Sequence, residues 1–100
     1  MNDELIKSKV IQLLKDLLDG KKPIVLGCME LSALWHEGYD FIDYDIVEHY
    51  DNMLHIPLPT EHHLWNQAAL NDRLKELEAY RPKVLSTVKS LLDDLLRAEE

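Results

Sequence analysis

The chain has 100 residues, 46% of them hydrophobic, with 11 Lys and Arg against 19 Asp and Glu for a formal charge of −8. That length allows one domain with one modest core, and that apolar fraction excludes global disorder. A single Cys excludes a disulfide framework, no segment is apolar for long enough to span a membrane, and an acidic chain is a poor match for phosphate backbones, which need clustered Lys or Arg.

Residues 3–19 predict an amphipathic helix. Leu5, Ile6, Val10, Leu13, Leu14, Leu17 and Leu18 recur at spacings of three and four and form one apolar stripe. Asn2 or Asp3 is placed to cap it, and Gly20 is placed to end it. The acidic start Met1-Asn2-Asp3-Glu4, with Lys7, Lys9 and Lys15 behind it, does not read as a secretory leader, so a cytoplasmic location is expected.

Ile24 to Glu37 repeats the helical period through Ile24, Cys28, Leu31 and Trp35, with Pro23 in the first turn and Gly38 at the end. A buried strand over Ile24-Val25-Leu26-Gly27 is the alternative. Residues 39–52 fit a short helix capped by Asp40, with Ile42 and Ile46 one turn apart, although their aromatic and β-branched content also suits a strand. Asp51-Asn52 reads as a turn. His55 to Thr60 is expected to be extended, because Pro57 and Pro59 bias their predecessors away from the helical region.

From Trp65 onward the helical signal returns, with Asn66 as N-cap and Thr60 as an earlier alternative. Ala69, Leu70, Leu74, Leu77 and Tyr80 form one stripe; Val84, Leu85, Val88, Leu91, Leu92, Leu95 and Leu96 form another. Pro82 separates them without loop-forming neighbours, which predicts one long helix kinked at Pro82. The fold class expected is therefore all-α, a single-domain bundle of about four helical segments over residues 1–100. The second stripe is wide enough to offer a homodimer seam.

Charge is placed unevenly along this scaffold. No Lys or Arg occurs from Pro23 to Asp72, a stretch that holds nine carboxylates, all five histidines and six of the seven aromatic rings. Three kinds of chemistry could use it. A metal-dependent enzyme would draw on His36, His49, His55, His62 and His63, but the ligand spacings fail. His36-Glu37 lacks a second His four residues on, and Asp43-Tyr44-Asp45 is followed by Val47 and Glu48 where a calcium loop needs an oxygen ligand and Gly. Neither metal nor cofactor is expected. Nucleophilic catalysis would use Cys28, whose stripe position reads as core. Paired-carboxylate catalysis would use Glu37, Asp40, Asp43, Asp45 or Glu48, but needs a pocket that a chain this small hardly provides. No catalytic residue is assigned.

Recognition is the remaining reading. Tyr39, Tyr44 and Tyr50 alternate with Asp40, Asp43, Asp45, Glu48 and Asp51, so that rings supply contact area while carboxylates steer and pair with a basic protein surface. Reversing Asp43 and Asp45 to Lys should then weaken binding without unfolding the chain. The bland alternative is that Phe41, Ile42, Ile46 and one Tyr fill the core and the acids are a solvated face. Trp35 and Trp65 are expected in the core.

Gly27-Cys28-Met29-Glu30-Leu31-Ser32-Ala33-Leu34-Trp35-His36-Glu37, together with Leu54-His55-Ile56-Pro57-Leu58-Pro59, Leu64-Trp65-Asn66 and Ala69-Leu70, resembles a family of small bacterial proteins of unknown function; the resemblance implies no site residue. In size, charge and helical content the chain is similar to colicin-type immunity proteins, by physical analogy alone. That similarity implies a basic toxin as partner; the acidic charge and the lack of a long apolar run speak against nucleic acid and membrane.

Overall fold

In the computed structural model, backbone is described for residues 2–98 and side chains for residues 4–97. The elements are α1 (Asn2–Leu18), α2 (Ile24–His36), α3 (Tyr44–Asn52), a short 3-10 helix (Pro59–Leu64) and α4 (Gln67–Ala98). No strand occurs among the described residues, so the all-α expectation holds and the strand alternatives at 24–27 and 39–52 fall away. The caps expected at Asn2 or Asp3 lie outside the described side chains.

Glycine ends both leading helices in the same way. Gly20 and Gly38 take φ of 76° and 107°, a region where a side chain is strained. In each case two backbone N–H groups turn back to satisfy carbonyls of the last turn: Gly20 to Leu17 at 3.3 Å with Lys21 to Asp16 at 2.9 Å, and Gly38 to Trp35 at 3.0 Å with Tyr39 to Leu34 at 3.2 Å. This paired closure is the Schellman arrangement. It reverses the chain sharply enough for α1 to meet α2, and for α2 to be followed closely by α3.

Three boundaries differ from expectation. Helix α3 begins at Tyr44 under Asp43, whose carboxylate accepts from the Asp45 N–H at 3.0 Å; Asp40 lies in the preceding turn and caps nothing. Asp51-Asn52, expected as a turn, is the last turn of α3. His55 and Ile56, expected to be extended, lie in the turn and bend after α3, and only Pro57 and Leu58 fall outside turn or helix before the next element. Pro59 opens a 3-10 helix in which the Glu61 carboxylate accepts from the Leu58 N–H at 2.9 Å. A proline restricts the residue before it but can itself start a helical turn.

Helix α4 starts where Asn66 accepts from the Ala69 N–H at 2.9 Å and then runs 32 residues through Pro82. At 1.5 Å per residue it is about 48 Å long, which is the long dimension of the molecule, 48 × 23 × 21 Å. Pro82 brings no N–H to the carbonyl of Glu78 but does not end the helix. No described helix is long and apolar enough to cross a membrane.

The core is assembled from α1 against α4 and α2 against α3, closed by α1–α2 and α3–α4 contacts. Val10, Leu14 and Leu17 meet Ile24, Cys28, Leu31, Ile42, Ile46, Met53, Val84 and Val88 in one buried cluster. The buried face of α1 differs slightly from the predicted stripe: Ile11 is buried and Leu5 is 60% exposed. Leu91, Leu92 and Leu95, expected to offer a seam to a second copy, are buried within this chain, leaving Leu96 at the edge. Trp35 packs against the core, whereas Trp65 is half-buried in the turn before α4 and lies outside that cluster.

Gly27 sets the closeness of α1 and α2, since a Cβ there would fall inside the Leu17 side chain. Overpacking of this kind costs about 1–3 kcal/mol, against about 1 kcal/mol gained in helix propensity. Gly27→Ala should therefore be neutral to destabilising by up to about 2 kcal/mol in the native chain, and stabilising once Leu17→Ala has cleared the space. Urea unfolding of the four proteins of this cycle measures both.

Candidate interaction surface on helix α3

Helix α3 is held by one side and exposed on the other. Ile42, Ile46, Val47 and Met53 are buried, which fixes the rotation of the helix about its axis. At about 100° per residue, the remaining positions 44, 45, 48, 51 and 52 fall on one continuous outer arc. Tyr44, Asp45, Glu48, Asp51 and Asn52 are all exposed. The sequence-predicted residues thus separate into two groups. Asp45, Glu48 and Asp51 converge on one face with Tyr44. Tyr39 and Tyr50 turn toward the core, Tyr39 with its ring 6.1 Å from that of Phe41. Asp43 is occupied as a cap, and Asp40 is exposed in the turn before the helix.

Tyr44 is half exposed, and its ring centroid lies 5.1 Å from that of Trp35, which in turn meets His36 edge-on at 5.1 Å. The tyrosine is thereby braced from α2 rather than free to rotate. Among the described residues, no ion pair involves Asp40, Asp43, Asp45, Glu48 or Asp51. The pairs that do form use Lys22–Glu30, His55–Glu76, Arg73–Glu76, Arg81–Glu78 and Arg97–Asp94. No Lys or Arg lies within the segment, and Lys83 of α4, which lines a groove with Asp45 and Glu48, forms no ion pair with either.

One flank of this face borders an open groove of about 580 Å³ between α3 and α4, lined by Asp45, Glu48, His49, Asn52, Tyr80, Pro82, Lys83, Ser86 and Thr87. Across it, His49 Nδ1 lies 2.6 Å from the Tyr80 hydroxyl and Nε2 lies 2.9 Å from Thr87 Oγ1, while Asn52 Nδ2 donates to the Tyr80 oxygen at 3.0 Å. Lys83 Nζ sits 5.7 Å from the centre of the Tyr80 ring. Sequence reasoning missed this joint. Tyr80 and Thr87 are 31 and 38 residues from His49, and no periodic signal links positions so far apart.

The rival chemistries find little in the geometry. Among the described residues no three His, Cys, Asp or Glu side chains come together as a metal site. His36 is beside Trp35, His49 is in the α3–α4 joint, His55 is on Glu76, and His62 and His63 are on the 3-10 helix. Burial pushes the Cys28 thiol up to about 12, the opposite of what a nucleophile requires. No family model matches this chain, and neither a curated protein nor a solved structure is detectably similar to it.

The connection after α3 is tied to α4 by His55, whose Nε2 lies 2.6 Å from Glu76, a carboxylate that Arg73 also holds at 2.7 Å. The hydrogen bond from His55, followed by Arg73, lowers the Glu76 carboxyl below its ordinary value. A depressed carboxyl contributes stability above its unfolded-state value and loses it as pH falls through the folded one. Carboxyl NMR titration should show Glu76 titrating below the ordinary glutamate value, and His55→Ala should move it back toward that value.

Proposed function

We propose that this protein is a small interaction module that binds a basic protein surface through the outer face of α3, with Asp45, Glu48 and Asp51 as the pairing groups and Tyr44 as the braced ring between them. One observation carries the reading: three carboxylates that form no ion pair among the described residues share one helical face with an exposed tyrosine, inside a stretch of fifty residues that has no Lys or Arg. Long-range attraction would speed the encounter, and the ring would supply buried area on contact. Asp40, exposed in the turn before α3, adds to the negative field. Tyr39, Tyr50 and Asp43 support the surface from behind, by packing and capping.

The concrete version is an immunity or inhibitor protein acting in the cytoplasm, with a basic toxin as its partner. It predicts that the partner recovered at low ionic strength arrests growth when produced alone and is neutralised by this chain. Because Asp43→Lys removes a helix cap at about 1 kcal/mol, the clean test is Asp45→Lys combined with Glu48→Lys. Stopped-flow binding at low salt should show an association rate at least about tenfold slower, with thermal stability retained. An unchanged association rate would remove the acidic face from the interface.

A further inference from the structure

The seam anticipated on α4 is closed, but α1 and α2 leave one open between them. A groove of about 510 Å³ separates the two helices, with Val10, Leu13, Ala33 and Leu34 as its apolar floor. Val10 is buried, Leu13 and Leu34 are half-buried, and Ala33 is exposed. Positions 9, 13 and 16 of α1 and 30, 34 and 37 of α2 recur at spacings of three and four, so each helix gives the groove one stripe. Because α2 runs back along α1, with Gly27 against Leu17, an early position on α1 stands level with a late one on α2. Lys9 and Glu37 thus mark one end of the groove, and Asp16 and Glu30 mark the other.

The rim carries charges of both signs, and that selects the occupant. At one end Lys22 holds Glu30 at 2.6 Å, and Asp16 accepts from the Gln12 amide at 3.0 Å. At the other end, among the described residues, neither Lys9 nor Glu37 forms an ion pair. Two cations and three carboxylates give the whole rim a charge of −1, against −8 for the chain. A face of one sign would draw a partner of the other sign. A face of mixed sign around an apolar floor suits a second copy of itself, provided a two-fold axis brings unlike charges together. An axis along the groove does so. It lays α1 of each copy over α2 of the other with the ends kept level, an antiparallel four-helix arrangement. Lys9 of one copy then meets Glu37 of the other, twice, and Asp16 faces the Lys22–Glu30 pair. The leucines and Ala33 close over one another between these ends.

We propose that the α1–α2 groove is the interface of a reversible homodimer, with apolar contact along its floor and Lys9–Glu37 pairs at one end. Helix α2 is about 20 Å long and two helices side by side are about 20 Å across. The face therefore offers on the order of 400–600 Å² per copy, the low end for a specific interface. The dimer accordingly forms with a dissociation constant of about 10–500 µM rather than in the nanomolar range. No α3 residue lines the groove, and at about 0.15 M salt charges more than about 8 Å apart are largely screened, so the net charge does not forbid contact. Joining two copies in this way leaves both α3 faces free. That bivalence bears on the function proposed above, but the dimer does not depend on it.

Sedimentation equilibrium at about 0.15 M salt, from about 10 µM to about 1 mM, should show the native chain passing from monomer to dimer. Lys9→Glu and Glu37→Lys should each weaken the dimer at least about tenfold, because each exchanges two attractive pairs for two repulsive ones. Thermal stability should hold, since neither residue forms an ion pair among the described residues. An equal mixture of the two variants should dimerise as the native chain does: one contact joins the two reversed side chains and the other joins the two native ones. Ala33→Glu, which sets a charge on the floor at an exposed position, should be monomeric throughout; if it fails to fold, the mixture decides. Asp45→Lys combined with Glu48→Lys should dimerise at least as well as the native chain, so loss of a basic partner and loss of the dimer are separable. A native chain monomeric at about 1 mM, a mixture no tighter than its components, or a dimer that survives Ala33→Glu overturns the proposal. The first of these would leave the groove to a helix of another protein.

Discussion

The burial of one side of α3 is the constraint on which the remainder of this molecule depends. Ile42, Ile46 and Met53 are each no more than 2% exposed, and burying an aliphatic side chain of this size is worth about 1.5–3 kcal/mol. No polar contact on the outer face approaches that sum. A nine-residue helix would be marginal alone; here its formation and its rotation are imposed by the apolar side. The placement of the acidic residues is thus a by-product of where the isoleucines point.

That order of cause explains how acids can be gathered on a folded protein at all. Like charges on successive turns repel by a few tenths of a kcal/mol per pair, which hydrophobic packing outweighs several times over. A nearby lysine would have relieved the repulsion, and the segment has none. Elsewhere the chain does place cations beside acids: Arg73, Arg81 and Arg97 each pair with a carboxylate three residues earlier or later. The contrast between α4, which pairs its own acids, and α3, which has no cation of its own, is a property of the sequence that the fold makes spatial.

Helices α1, α2 and α4 were legible in the sequence because each repeats its apolar positions over at least three turns and is punctuated by Gly or Asn. Helix α3 was legible in existence but not in its start, since Asp40 and Asp43 both precede β-branched or aromatic residues and either could cap. What decides is that a cap at Asp43 puts Ile46 and Met53 inward together with Ile42, a tertiary fact. The acids of the candidate surface were readable as a group, because their spacing of three within a short helix keeps them on one face. The tyrosines were not: Tyr39 is drawn inward by the Schellman closure at Gly38, which sets it over Leu34, and Tyr50 lies on the same side of α3 as Ile46. The histidines looked like a cluster along the chain and are dispersed in space, whereas His49 gained its partners from a helix that the local pattern could not associate with it.

The seclusion of Cys28 has a practical corollary. It is the chain's only thiol, it is fully buried between α2 and its neighbours, and it is held protonated at neutral pH. A thiol reagent in solution can therefore modify the native chain only during excursions that part the helices. The rate of that modification is a clock for core opening, built in without any added label, and Cys28 belongs to the buried cluster that α1, α2, α3 and α4 share.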